Sequence, residues 1–278
     1  MATANTFERY AFIEMLCYWQ SSIRNSDLIQ QFEITRQQAY NDLKNYQQLY
    51  PNQLVQAQDK RYSFSTDALL HHFSGEVEPY LDWLLTQNFS AAVNRSSQPI
   101  AHALVLPTRQ VCRHTIATLT DAIKNKHRIE VGYVSLSNPE QDGRIFHPHS
   151  FIKTGLRWHV RGYCEKSAGY RDLVLSRFRG EAECLGASHH PVEDDLAWQT
   201  PITLIFAPDP RLTAAQQEVL AQDYQMEGGQ LLIKTRAALA QYLLKEMQVN
   251  TKFLEGTPEA QQLVLVNKND IKPWLFGD

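Results

Sequence analysis

The chain has 278 residues, 43% hydrophobic and 21% charged, an ordinary balance for a soluble globular protein and a length that predicts two or three compact domains. No run approaches the ~18 apolar residues of a membrane span, and the N-terminal Met-Ala-Thr-Ala-Asn-Thr-Phe-Glu-Arg-Tyr shows no basic region leading into an apolar one, so no secretory signal is read and a cytoplasmic location is expected. The formal net charge of −3 is unevenly spread, with 13 Lys and Arg against 8 Asp and Glu in residues 108–186 and 7 against 12 in residues 187–278, which points to an anionic partner for the middle of the chain.

Residues 7–20 are apolar nearly all round and predict a helix with little exposed surface. Residues 26–32 predict a short second helix. Thr35 followed three residues on by Gln38 is a capping-box pattern, so a third helix should begin at Thr35. Along it Ala39, Leu43, Tyr46 and Tyr50 form a single apolar stripe, while Arg36, Gln37, Tyr40, Asn41 and Lys44 share the opposite side. Arg can grip guanine through two acceptors, and Gln or Asn can do the same with adenine. The run LVQAQDKRYSF (54–64) reads as a β-hairpin of the size of a wing, with Lys60 and Arg61 at its tip, suited to a phosphate contact. A polar helix face is most often plain solvated surface. Here the short preceding helix, the Glu33-Ile34 turn and the hairpin favour duplex DNA. Residues 1–75 are thus expected to be a winged helix-turn-helix, with Thr35, Arg36, Gln37, Tyr40, Asn41, Lys44, Lys60 and Arg61 as its DNA-binding set. Residues 1–70 carry 6 basic and 7 acidic side chains. Charge neutralisation supplies most of the affinity for DNA, so a homodimer on a palindromic operator is expected rather than a monomer.

Residues 78–88 predict another helix, NRSSQPIAH (94–102) a linker, and residues 108–125 a further helix, so residues 76–125 read as a helical linker region. Residues 126–190 hold strand-like runs (HRIEVGYVSL, RIFHPHSFIKTG, LRWHVRGYCE, DLVLSRFRG) separated by turn signals, which predicts a small barrel or sandwich. Beyond HHPVEDDLAW, residues 198–278 read as strand, helix, hairpin, helix, strand, the order of a ferredoxin-like domain. The expected fold class is multidomain α+β.

The segment DLIQQFEITRQQAYNDLKNY (27–46) resembles the helix-turn-helix of bacterial regulators that carry a WYL domain, with Phe32, Thr35, Arg36, Asp42 and Leu43 in the matching places. Glu33 stands where that family usually has Gly, so its turn must accept a Cβ. The family's Trp-Tyr-Leu motif is met by Trp158-His159-Val160 after Gly155, its upstream Pro by Pro148 and its downstream Arg by Arg177. The layout is similar to the BrxR/CapW type of repressor encoded beside phage-defence operons. That resemblance implies a winged helix, an SH3-like or Sm-like WYL barrel, a C-terminal extension and a dimer.

Strand parity places Trp158, Val160 and Cys164 on one side and Arg157, His159, Arg161 and Tyr163 on the other. His159 and Arg161, joined by Tyr133, Ser150, Arg177 and Arg179, form a candidate pocket, and the resemblance implies a nucleotide or nucleic-acid effector there. The alternative is that these arginines are structural ion pairs to Glu130, Glu165, Asp172, Glu181 or Glu183. His71-His72 and His147-Pro-His149 do not fall at the helical spacing of a hydrolytic zinc site. Cys17, Cys112, Cys164 and Cys184 form no Cys-x-x-Cys pair and are expected as free thiols. No phosphate-binding glycine loop or nucleophile motif is present, so neither an enzyme nor a cofactor is expected. Two functions remain: a ligand-responsive DNA-binding repressor, or an RNA- or single-strand-binding effector that uses the basic central block.

Overall fold

The computed structural model describes residues 6–89, 109–137, 139–140, 142–249 and 257–275. The segment 94–102, read above as a linker, lies outside them. The chain divides into two compact units. One comprises Met1–Pro148, Cys164–Ser167 and Val174–Ala187, and the other His149–Tyr163, Ala168–Leu173 and Ser188–Asp278.

The first unit is built on α1 (Thr6–Trp19), which is buried along almost its whole length, as its apolar sequence requires. Phe12 anchors an aromatic cluster, with ring centroids 5.4 Å from Phe32, 5.4 Å from Trp83 and 5.2 Å from Phe89. Helices α2 (Asn25–Phe32) and α3 (Arg36–Leu49) pack on it. Strands β1 (Leu54–Gln56) and β2 (Tyr62–Phe64) pair antiparallel, Leu54 opposite Phe64. Ile23 bridges Tyr62 through a reciprocal pair of backbone hydrogen bonds of 2.8 and 2.9 Å, which ties the segment before α2 to the wing. Helix α4 (Val77–Thr86) closes the cluster, and Trp83 Nε1 donates to the Gln31 side-chain oxygen at 2.6 Å.

Helix α5 (Arg113–Asn125) is a packed helix rather than a tether. Toward the winged helix, Arg113 donates to the carbonyls of Cys17 and Tyr18 and lies over the Tyr18 ring, and Thr120 and Tyr80 share a 3.1 Å hydroxyl contact. Toward the β-rich block, His114 Nε2 lies 3.1 Å from the Ala182 carbonyl, and the Thr115 hydroxyl donates to the Gly180 carbonyl.

That block contains β3 (His127–Tyr133), β4 (Asp142–Thr154), β5 (Arg157–Cys164), β6 (Gly169–Val174) and β7 (Phe178–Ala187), in the order β6-β5-β4-β3-β7. Strand β3 is antiparallel to both β4 and β7. The run DLVLSRFRG, expected as one strand, is broken by a 3-10 turn at Leu175–Arg177 into the end of β6 and the start of β7. The expected small barrel is not closed: β6 and β7 are the two ends of the strand order, and no pairing joins them among the described residues. Counting strand-like runs says nothing about whether the end strands meet.

The second unit contains α6 (Leu196–Gln199), β8 (Pro201–Pro208), α7 (Ala214–Asp223), β9 (Leu231–Arg236), α8 (Ala240–Glu246), α9 (Pro258–Gln261), β10 (Leu263–Leu265) and α10 (Lys268–Ile271). Its sheet has the order β10-β8-β9 with antiparallel pairs. Leu204, Phe206, Ala240, Leu244, Leu263 and Ile271 form its buried core. The hairpin expected at 224–235 shrinks to one strand and a tight turn, in which Glu227 bridges Gln230 around Gly228 (φ 59°) and Gly229 (φ 74°). Two successive left-handed residues favour glycine at both places. The fourth strand of a ferredoxin-like sheet is therefore missing among the described residues.

Candidate nucleic-acid interface

Helix α3 begins where its sequence requires. Thr35, in extended conformation, accepts from the Gln38 N–H at 3.1 Å and caps the first turn. The Gln38 side chain does not complete the box; it donates instead to Asp42 Oδ1 at 2.9 Å. Before the cap, Glu33 sits at φ 52°, ψ 34°, the left-handed geometry that its place in the turn demands.

Ala39, Leu43 and Tyr46 are buried and Tyr50 is half-buried, so the apolar stripe is the face toward the core. Two polar locks that periodicity cannot reveal hold this face in place. Arg9 of α1 meets the buried Asp42 through Nε at 2.7 Å and Nη2 at 3.3 Å. Glu14 of α1, wholly buried, accepts from the Tyr46 hydroxyl at 2.7 Å and from the backbone N–H groups of His71, His72 and Phe73 at 3.0, 2.8 and 2.8 Å. Burial, reinforced by the hydrogen bond to Glu14, pushes the Tyr46 hydroxyl pKa up. The Glu14 carboxylate thus fixes α3 and the chain leaving the wing at one point.

With the apolar side locked inward, Thr35, Arg36, Gln37, Tyr40, Asn41 and Lys44 are exposed. A concavity of about 1100 Å³ opens between this side, the start of α2 and the wing. Arg36, Gln37, Tyr40 and Lys60 line it, as the sequence suggested for a reading surface, and so do Arg24, Asn25, Ser26, Gln56 and Gln58, which the sequence reading did not include. The missed residues lie on separate segments brought together by the bridge of Ile23 to Tyr62; their polar character was the one local signal. Asn41 and Lys44 do not line the concavity. Asn41 accepts from the Gln37 amide at 3.0 Å. Lys60 has φ 65° at the wing turn, where its N–H donates to the Ala57 carbonyl at 3.0 Å. Arg61 does not share the concavity. It pairs with Asp59 at 2.8 Å and lines a separate hollow that includes Lys124 of α5.

The six residues proposed for an effector pocket divide between the two units, and the parity argument fails on β5, where His159 through Gly162 are all buried. Arg161 is enclosed by carboxylates: Nε and Nη2 donate to Asp195 at 2.6 and 3.0 Å, and Nη1 donates to Asp172 at 3.0 Å. Burial opposes its charge, but these two partners outweigh burial and raise its pKa. Asp195 also accepts from the Trp198 N–H and faces His149 Nε2 at 3.1 Å. Burial alone would raise the Asp195 pKa; the bonds to His149 and Arg161, with the Arg161 charge, hold it down at about 2. Asp172 further accepts from the Tyr242 hydroxyl at 3.0 Å. Arg161 is therefore a structural ion pair rather than an open anion-binding group. Asp172 was among its anticipated partners, while Asp195 lay in the stretch read as a boundary.

The buried His159 ring packs 5.2 Å from Tyr242, and the Ser150 hydroxyl lies 3.0 Å from His149 Nδ1. In the first unit, Tyr133 is buried and its hydroxyl accepts from the Val174 N–H at 3.0 Å. The Arg177 carbonyl accepts from the Val134 N–H, and exposed Arg179 donates to the carbonyls of Ser176 and Phe178. His147 Nε2 is 3.0 Å from Glu165.

Comparison with known proteins matches three family models along the chain: the BrxR transcriptional regulator winged helix-turn-helix domain over residues 5–86, the WYL domain over 114–181 and the BrxR transcriptional regulator C-terminal dimerization domain over 201–271. The curated relatives include the DNA-binding transcriptional repressor CapW of Pseudomonas aeruginosa, 33% identical over 270 residues that cover 95% of this chain and 90% of the relative. CapW of Escherichia coli (strain KTE188) is 32% identical over 269 residues, 95% of this chain and 89% of its own length. CapW of Stenotrophomonas maltophilia is 29% identical over 279 residues, 97% and 92% of the two chains. With three domains matched in order and identity sustained along nearly the whole length, the chain belongs to the BrxR/CapW family of winged-helix, WYL-domain transcriptional regulators.

Proposed function

We propose that the chain is a sequence-specific DNA-binding repressor that acts as a homodimer on a palindromic operator. The observation that carries this is the concavity in which Arg36, Gln37 and Tyr40 of the capped helix face Lys60 of the wing and Arg24 at the start of α2. Arg36 and Gln37 supply the bidentate donors and acceptors that distinguish base pairs, and the flanking cations supply phosphate contacts that set register. Asn41 and Lys44, exposed farther along α3, extend that face beyond the concavity. The near-neutral winged helix calls for a second copy, and the relatives' C-terminal domain is described as a dimerization domain. Two copies would present their helices to half-sites about one helical turn apart, or a multiple of it.

The regulated genes are proposed to be a phage-defence operon, with repression relieved by an anionic nucleotide or nucleic-acid effector at the WYL domain. With Arg161 held by Asp195 and Asp172, the charge of the proposed cluster that stands outside this carboxylate network is that of Arg177 and Arg179. Footprinting on the DNA upstream of the gene tests the DNA reading: a protected inverted repeat is expected, and uniform or absent protection rejects it. Arg177→Ala in a reporter strain challenged with phage tests the effector reading. Repression should persist while induction is lost; normal induction rejects the WYL site.

A further inference from the structure

We propose that the hollow between the winged helix and α5 is a binding site for a single phosphoryl group, as free phosphate or a sugar phosphomonoester, and that its occupation weakens DNA binding by drawing on Arg24. The proposal goes beyond the effector site assigned above to the WYL domain. The hollow measures about 260 Å³ and is lined from the end of α1, the start of α2, the wing and α5, all within the first unit. Arg24, Arg61 and Lys124 converge on it, with Thr120 and Gln20 among the other lining residues.

Around the hollow Arg24, Arg61 and Lys124 meet Asp59, Asp27 and Asp121, so the net charge is near zero and it is the convergence of donors that suits an anion. Arg61 and Arg24 share one carboxylate, Asp59, at 2.8 and 3.9 Å. Lys124 Nζ donates to the neutral Gln20 oxygen at 2.7 Å, and burial lowers its pKa. Two acids also line the hollow, and both attract Lys124. Asp27 accepts from the Arg24 backbone N–H at 2.7 Å, and Asp121 accepts from the Asn125 amide at 2.8 Å. These carboxylates disfavour a polyanion such as a nucleic acid. A single phosphoryl group is small enough for the space and matches two guanidinium forks and one ammonium.

The link to DNA is Arg24, which lines both this hollow and the concavity facing α3 and the wing. A guanidinium turned toward an anion on the α5 side is lost to a DNA phosphate on the other. By reciprocity, each ligand then weakens the other.

The test uses the full chain, orthophosphate and ribose 5-phosphate as probes, and a duplex carrying its own upstream region. Calorimetric titration should give one phosphate site per chain. Operator affinity by fluorescence anisotropy should fall at least about fivefold with saturating phosphate, relative to chloride at equal ionic strength. Lys124→Met, which alters the hollow but lies outside the concavity, should abolish both effects and leave affinity without phosphate unchanged. A stronger response to ribose 5-phosphate identifies a sugar phosphomonoester; an equal response identifies the free anion. The proposal is overturned by absent binding heat, by binding without loss of affinity, or by an undiminished phosphate effect in Lys124→Met. If the duplex is not bound at all, the calorimetric arm still decides the phosphate site, separately from the DNA reading.

Discussion

Replacing Glu14 by Gln perturbs α3 from the far side of its core. The carboxylate serves four donors: the Tyr46 hydroxyl and the backbone N–H groups of His71, His72 and Phe73. Glutamine keeps the shape but offers one carbonyl oxygen, which can serve about two donors. Its NH₂ then faces the remaining two, donor against donor. Each buried donor left unpaired costs about 1–3 kcal/mol, so the loss should be about 2–6 kcal/mol. That is a large share of the ~5–15 kcal/mol that holds a typical domain together. Tyr46→Phe removes one donor and leaves the three N–H bonds, and should cost only about 1–2 kcal/mol. Urea denaturation of the full chain, read by far-UV circular dichroism, measures both losses. Hydrogen exchange at the amides of residues 71–73 locates the first, because those amides should open before the amides of α1. If Glu14→Gln costs less than about 1 kcal/mol and leaves their exchange unchanged, the carboxylate is not the lock it is taken to be.

In the proposed reading surface, Arg36→Ala and Gln37→Ala should each cost about 1–3 kcal/mol of specific binding, whereas Lys60→Ala should weaken all duplexes alike and flatten the salt dependence. Competition anisotropy with specific and scrambled duplexes separates the two patterns, and identical behaviour of Arg36→Ala and Lys60→Ala would count against base contact by Arg36. Glu33→Gly should stabilise the chain by about 1 kcal/mol, because glycine carries no Cβ penalty in the left-handed region; an unchanged or lower denaturation midpoint contradicts this. The Asp195 pKa is depressed in the folded state, so its contribution to stability is complete above the ordinary carboxylate range and is lost as pH falls from there through about 2. Asp195→Asn should remove that acid-dependent loss and, by leaving Arg161 under-paired, cost about 3–5 kcal/mol near neutral pH. An acid titration of stability that is superimposable for wild type and variant refutes the linkage. Light scattering should report twice the 32.0 kDa chain mass, and a monomer at micromolar concentration that still binds its operator tightly refutes the dimer.

What the sequence discloses follows the range of the interactions. The Thr35 cap and the Ala39-Leu43-Tyr46 stripe depend on residues within one or two helical turns and could be read in advance, whereas the turn at Glu33 was legible only through the resemblance to a family whose members usually carry Gly there. The wing was legible because its two strands flank a short polar turn. Arg24 and Gln56 as walls of the concavity were not, because they meet through the Ile23–Tyr62 bridge, a pairing of segments with no shared period. Asp195 lies 34 residues from Arg161, and no periodicity records a partner at that range. For that reason the sequence could offer Asp172, but not Asp195, as a partner of Arg161. Sheet closure failed for a related reason, since it depends on where the end strands lie in space.

Helix α5 limits how this architecture can be recombined. Its Arg113, Thr120 and Lys124 meet α1 and its neighbours, while His114, Thr115 and Thr118 meet β7. One inserted residue rotates everything downstream by about 100°, so an insertion inside Arg113–Asn125 must break one set or the other. A chimera that joins this winged helix to another sensory domain should therefore keep α5 whole and bring β3 and β7 with it. A junction placed inside the helix would give two halves that each fold against the wrong face.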